Sequence, residues 1–160
     1  MDRETLIKAR ALLENVTPLR TDCGLLCSHV CCTDPDGDDA GMLLFPGEDA
    51  LVEGAGRIRE EDGRKVFVCD GRCERTVRPF ACRIFPLSPV KDAEGRWIVK
   101  TDRRAHAMCP LAAHGLHGMD RAFVNACVRA VRLIVSDPDG ERFLNEWAEN
   151  EESLADLFDR

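Results

Sequence analysis

A chain of 160 residues, 44% of them hydrophobic, suits one domain with a modest core and leaves little room for a second. A net charge of −7 argues against a general nucleic-acid binder, because a polyanionic partner requires a basic footprint. No stretch approaches the roughly 18 to 20 apolar residues that cross a bilayer, and the opening MDRETLIKARALLENV, charged from its second residue, lacks the apolar centre of a secretion signal. A cytoplasmic protein without a membrane span is therefore expected.

Leu6, Ile7, Ala9, Leu13 and Val16 lie in a run free of Gly and Pro, which predicts an amphipathic helix ending before Thr17-Pro18. A cysteine-rich loop follows. GMLLFPGEDALVEG then predicts a short apolar strand, a Pro-Gly break and one helical turn opened by acids. KVFVC at 65–69 alternates as a strand does and delivers Cys69 into a turn at Asp70-Gly71. RPFACRIFPL at 78–87 is bracketed by prolines, so a helix there is short and holds Cys82 between Pro79 and Pro86. RWIVKT at 96–101 is the next strand. Phe123, Cys127, Ala130, Val131 and Ile134 fall at helical spacing between about Asp120 and Ser136. Asp137-Pro138 reads as an N-cap with proline at the first helical position, opening a last helix that buries Phe143, Leu144, Trp147, Leu154 and Phe158. DPDG occurs at 34–37 and again at 137–140, in both places as turn chemistry.

Charge is unevenly spread. Residues 33–62 carry ten acids against two bases, 72–104 nine bases against four acids, and 137–160 nine acids against two bases. The basic stretch coincides with the later cysteines. Four thiolates around one zinc, or around a four-iron cluster, carry a net charge of about −2, which Arg72, Arg75, Arg78 and Arg83 would stabilise while depressing the thiol pKa values. A solvated basic face, or an anion site, is the alternative.

The cysteines say most about function. Eight of the nine fall between Cys23 and Cys109: Cys23, Cys27, Cys31 and Cys32 in CGLLCSHVCC, Cys69 and Cys73 in CDGRC, then Cys82 and Cys109. Thiols crowded at short spacing in a chain without a secretion signal point to metal ligation over disulfides. Cys23, Cys27 and Cys31 are each four apart, and Cys69 and Cys73 repeat that spacing, so each set can converge on one ion. Adjacent side chains diverge, so Cys31 and Cys32 do not serve one ion together. Two metal sites, one cluster with a spare thiol, or a cluster beside a redox-active thiol all remain open. Soft thiolates select zinc or an iron–sulfur cluster, and spacing does not separate the two. Cys127 lies on the apolar stripe of a helix and is read as a small hydrophobe.

His29 and His106 are the substitute ligands, while His114 and His117 fall in the Gly-rich AAHGLHG, read as a solvated loop. No cysteine is marked as a nucleophile. The acidic TDPDGDD is not a calcium loop, since Asp39 and Phe45 stand where an EF-hand needs Gly and Glu. Phosphate-loop, dinucleotide, GxSxG and HExxH motifs are missing from the sequence.

CGLLCSHVCC, the segment Arg78, Pro79, Cys82, Arg83, Phe85, Pro86 and Leu87, and Cys109-Pro110 together resemble the YkgJ-type cysteine-cluster proteins, described as zinc- or iron-chelating. The resemblance covers residues 22–110. It departs in the first loop, which reads CxxxCxxxCC where many members have CxxCxxCC, so the sharing of thiols between ions does not carry over. It implies a metal or cluster centre without an established reaction. The cysteine region of flagellin lysine N-methylase is similar, which raises an enzymatic alternative.

The expectation is thus an α+β fold, one domain over 1–160, with an irregular cysteine-rich, metal-stabilised centre (22–110), short strands, and helices at both ends, the last in a C-terminal helical region (120–160). The leading function is binding of zinc or an iron–sulfur cluster by Cys23, Cys27, Cys31, Cys32, Cys69, Cys73, Cys82 and Cys109, with Arg78 and Arg83 balancing charge or orienting the loop. No catalytic residue is assigned, and the balance leans away from an enzyme. The alternatives are a methylase-type or cluster-dependent redox enzyme, and a structural zinc module that presents its acidic C-terminal helix to a protein partner.

Overall fold

The computed structural model describes residues 1–32, 41–69 and 74–158 and has an α+β architecture with helices at both ends. Helix α1 (Arg3–Leu12) starts where Asp2 accepts a hydrogen bond from the Thr5 amide at 2.8 Å, with Glu4 favourably placed in the first turn. Leu6, Ala9 and the following Leu13 are fully buried, as a period near 3.6 requires. The helix stops short of the expected Thr17-Pro18 boundary. The Arg75 guanidinium takes the carbonyls of Leu13, Glu14 and Val16, so a side chain satisfies the groups that another helical turn would have used.

A one-turn helix, α2 (Gly24–Cys27), and a 3-10 turn at Val30–Cys32 carry the first cysteine loop. Strands β1 (Met42–Leu43), β2 (Gly56–Glu61) and β3 (Arg64–Cys69) form an antiparallel sheet with β3 in the middle. β2 has no counterpart in the sequence-based expectation. Its GRIREE sequence is largely exposed on both faces, so no alternation marks it. Gly56 is required there, because a Cβ would come within 2.5 Å of the Val68 carbonyl oxygen.

Helix α3 (Phe80–Ile84) is the short helix expected between prolines, and the Phe85–Pro86 peptide is cis. β4 (Leu87–Lys91) and β5 (Trp97–Thr101) make a two-stranded antiparallel sheet. β4 also escaped the sequence, since Pro89 argues against a strand; a two-stranded ribbon leaves both strands an outer edge where proline is tolerated. α4 (Ala105–Met108) leads through Cys109 into a 3-10 segment, Pro110–Gly118, so AAHGLHG is helical on either side of a kink at Gly115 and not an open loop. α5 (Arg121–Ile134) is capped by Asp120, which accepts from the Ala122 amide at 2.7 Å. α6 (Pro138–Phe158) opens where Asp137 accepts from the amides of Asp139 and Gly140, the expected cap.

The main core joins α1, α5 and the start of α6 to α3 and the β4–β5 pair. Phe45 knits it together, with ring centroids 5.1 Å from Phe80 and 4.5 Å from Phe143. Leu144 and Trp147 of α6 are buried and Phe143 partly so, while Leu154 and Phe158 fall outside the residues whose side chains are described. Leu44, Val52 and Phe67 form a small satellite core under the three-stranded sheet. No helix among the described residues is long and apolar enough to cross a membrane.

Candidate metal centre

The structure has a cavity of about 380 Å³ whose wall includes Cys23, Cys27, Cys31, Cys69, Cys82 and Cys109. Each arrives from a different local cause. Cys23 and Cys27 flank one helical turn, four residues apart and hence on one face. The turn is tight because the His29 ring packs where Gly24 would otherwise carry a side chain, a Cβ there meeting Nδ1 at 2.1 Å. Cys31 lies in the next turn and is exposed. Cys69 ends β3, Cys82 is in the middle of α3, and Cys109 closes α4 with its amide bonded to the Ala105 carbonyl at 2.7 Å.

Six of the eight candidate ligands therefore share one cavity. The side chain of Cys32 and the whole of Cys73 lie outside the described residues, as does the turn at Asp70-Gly71. Among the described residues, no three His, Cys, Asp or Glu side chains are arranged to hold an ion, so the thiols line the wall without forming a closed coordination set. His29, His106, His114 and His117 are not on that wall. Cys127 is fully buried in the main core, and burial pushes its thiol up to about 12, consistent with a structural role.

Burial also raises the Cys23 thiol, with Asp22, Cys27 and Cys109 adding to the effect and Arg78 opposing it. The arginine-rich stretch was expected to depress the thiols, but at Cys23 desolvation outweighs the opposing Arg78 guanidinium. The influence of Cys27 and Cys109 on Cys23 identifies these three as electrostatic neighbours.

No family model, curated protein or solved structure matches the chain.

Within the basic stretch, Arg75, Arg78 and Arg83 turn inward while Lys91, Arg96, Lys100, Arg103 and Arg104 are exposed. Arg83 is buried; it pairs with Glu14 and donates to the carbonyls of Arg10, Arg75, Thr76 and Arg78. These bonds tie the end of α1 to Arg75, Thr76 and Arg78, which lie just ahead of the α3 turn bearing Cys82. Arg104 is held by buried Asp102 through two bonds, Nε to Oδ1 at 3.0 Å and Nη2 to Oδ2 at 2.6 Å. Arg75, Arg78, Arg83 and Arg104 all reach the cavity wall beside Val16, Leu26, Met42, Phe67, Phe85 and Met108.

Sequence reasoning missed a buried ion pair behind this wall. Glu48 is fully inaccessible and accepts from Arg10 Nη1 at 2.8 Å, the Phe45 amide at 3.1 Å and the Phe80 amide at 2.6 Å. Burial pushes its carboxyl up, against these donors. The only available signal was a Glu beside the Pro-Gly break, which reads as surface.

Proposed function

We propose that the chain binds zinc or an iron–sulfur cluster through its cysteine cluster, with no reaction assigned. The observation that carries this reading is the gathering of six cysteines from five separate segments on one cavity wall. Chance burial of thiols as small hydrophobes would scatter them through the core, as Cys127 is. The resemblance to YkgJ-type proteins points the same way, since its three motifs contribute Cys23, Cys27, Cys31, Cys82 and Cys109 to that wall. Cys32 and Cys73 belong to the proposed ligand set from the sequence. Arg78, which acts on Cys23, would offset part of the negative charge of a thiolate centre.

In this reading Cys82 anchors the α3 turn to the metal. Cys82→Ser is expected to lose bound metal and to lower the thermal midpoint relative to the wild-type holoprotein. Full metal content and an unchanged midpoint in that variant would remove Cys82 from the site.

One observation favours an enzyme as the second reading. The cavity volume lies within the range of small-molecule pockets, and much of the wall is apolar. A flagellin lysine N-methylase type of activity then requires a methyl donor; failure of the purified protein to bind S-adenosylmethionine would dismiss it, leaving a cluster-dependent redox enzyme. In either reading we place the protein in the cytoplasm, where thiols stay reduced, with a protein partner left unassigned and neither nucleic acid nor a membrane involved.

A further inference from the structure

We infer that Glu48 is the positioning residue of the cysteine centre, holding the Cys82 turn in register with the other thiols; this rests on the metal-binding reading above.

The geometry is that of a hub. Glu48 Oε1 accepts from the Phe80 amide, the first of α3, and from Arg10 Nη1, while Oε2 accepts from the Phe45 amide. Arg10 carries the connection onward, its Nη2 reaching the carbonyls of Leu51 at 3.4 Å and Thr76 at 3.1 Å. One carboxylate thus ties α1, the loop after β1 and the start of α3 together, and Cys82 follows two residues after Phe80. Pro79 provides no amide of its own, so the first donor of α3 is Phe80, and Glu48 takes it.

Stability alone is a poor reason for this arrangement. Both side chains are almost wholly withdrawn from water, and a buried ion pair commonly contributes no more than well-packed apolar residues of similar volume. What it supplies instead is direction: three donors converge on one carboxylate from three segments, and a shift of α3 would break the Phe80 bond outright. A metal centre needs that, because a thiolate displaced by about 1 Å no longer closes the coordination shell.

Glu48→Gln keeps the shape but turns an amide nitrogen toward one of these donors, and Glu48→Asp keeps the charge but falls a methylene short of the donors that meet at Oε1, Phe80 among them. The test uses the full, reduced, metal-free protein with Co²⁺ as the probe metal, reading thiolate-to-cobalt charge-transfer absorption, together with iodoacetamide labelling resolved by mass spectrometry. In whichever variant folds, we expect the cobalt band to fall by the same amount as in Cys82→Ser, with no further fall when Cys82→Ser is added. Alkylation of Cys82 should rise about tenfold, the size of losing one hydrogen bond to a charged group, with Cys23, Cys27 and Cys109 unchanged.

A full-intensity band with Cys82 labelled at the wild-type rate would overturn the inference. So would an equal rise at all four cysteines, which would mark a general loosening. If wild type itself gives no thiolate-to-cobalt band, the zinc form of the metal reading fails, and the Cys82 labelling alone then decides whether Glu48 positions that turn.

Discussion

Burial raises two thiols with different consequences. Cys127, packed among Phe123, Ala130, Val131 and Ile134, has no charged neighbour acting on it and is raised to about 12, whereas Cys23 is raised amid other thiols and an arginine. For Cys127 the folded value exceeds the unfolded one, so its contribution to stability is complete below the ordinary thiol value of 9.0 and is lost as pH climbs through about 12. At pH 8 iodoacetamide should therefore leave Cys127 unmodified in the native protein and label it only in denaturant. Cys127→Ser should cost about 1–3 kcal/mol in urea unfolding, the penalty of a buried hydroxyl without a good partner, while metal content stays at the wild-type level. Loss of metal in that variant would place Cys127 in the site after all. This residue was readable from its position on a helical stripe. Glu48 was not, because its partner Arg10 is 38 positions away and nothing local distinguishes a buried carboxylate from a solvated one.

Among the elements, the end of α1 decides how the cysteine wall is held. Arg75 collects the carbonyls of Leu13, Glu14 and Val16, and Arg83 takes that of Arg10 together with the Glu14 carboxylate, so two cations close a helix C-terminus where the helix dipole favours them. Arg75→Ala should destabilise the fold by about 2–3 kcal/mol in urea melts, and Arg75→Lys should recover less than half of it, because a point charge cannot serve three carbonyls as a planar fork does. Equal stability of Arg75→Lys and wild type would mean that charge alone matters there. The helices that sequence periodicity revealed, α1, α5 and α6, are those with one apolar face, whereas β3 is buried on both faces over Val66, Phe67 and Val68 and was marked by its apolar run. β2 and β4 were missed for opposite reasons. β2 exposes most of its residues, leaving no period to read, and β4 carries a proline that only an edge position excuses. The cavity itself is a tertiary fact: cysteine spacing nominated Cys23, Cys27 and Cys31 as one set and Cys69 with Cys73 as another, but only the packing of α3 and α4 brings Cys82 and Cys109 to the same wall.

On the scale of the molecule, the chain has a main core of helices with the β4–β5 ribbon and a satellite core under a three-stranded sheet, and the wall of the thiol cavity includes Phe67 of the satellite core together with Val16, Met42 and Leu111, which pack against the main one. The Arg83 hydrogen bond, ahead of all other causes, holds the Glu14 carboxyl below its ordinary value of 4.5. Its folded value is depressed, so the stability it contributes is present above the ordinary carboxylate range and is lost as pH falls through the folded value. The urea midpoint of wild type should accordingly decline from about pH 5 to about pH 3, and Glu14→Gln should make that decline shallower. An identical slope in the variant would sever the link between this pair and acid stability. The central claim, a metal held by the cavity cysteines, belongs to this scale too, because a bound centre would cross-link both cores through loops poor in apolar contact. It is tested most directly by purifying the full chain anaerobically and measuring metal and sulfide content together with the visible absorption spectrum. The account predicts either bound zinc without colour or iron with sulfide and a broad brown absorbance, in each case released when the cysteines are alkylated in denaturant. A chain that emerges reduced and folded, with neither zinc nor iron above trace level and no uptake of either on anaerobic reconstitution, would contradict it.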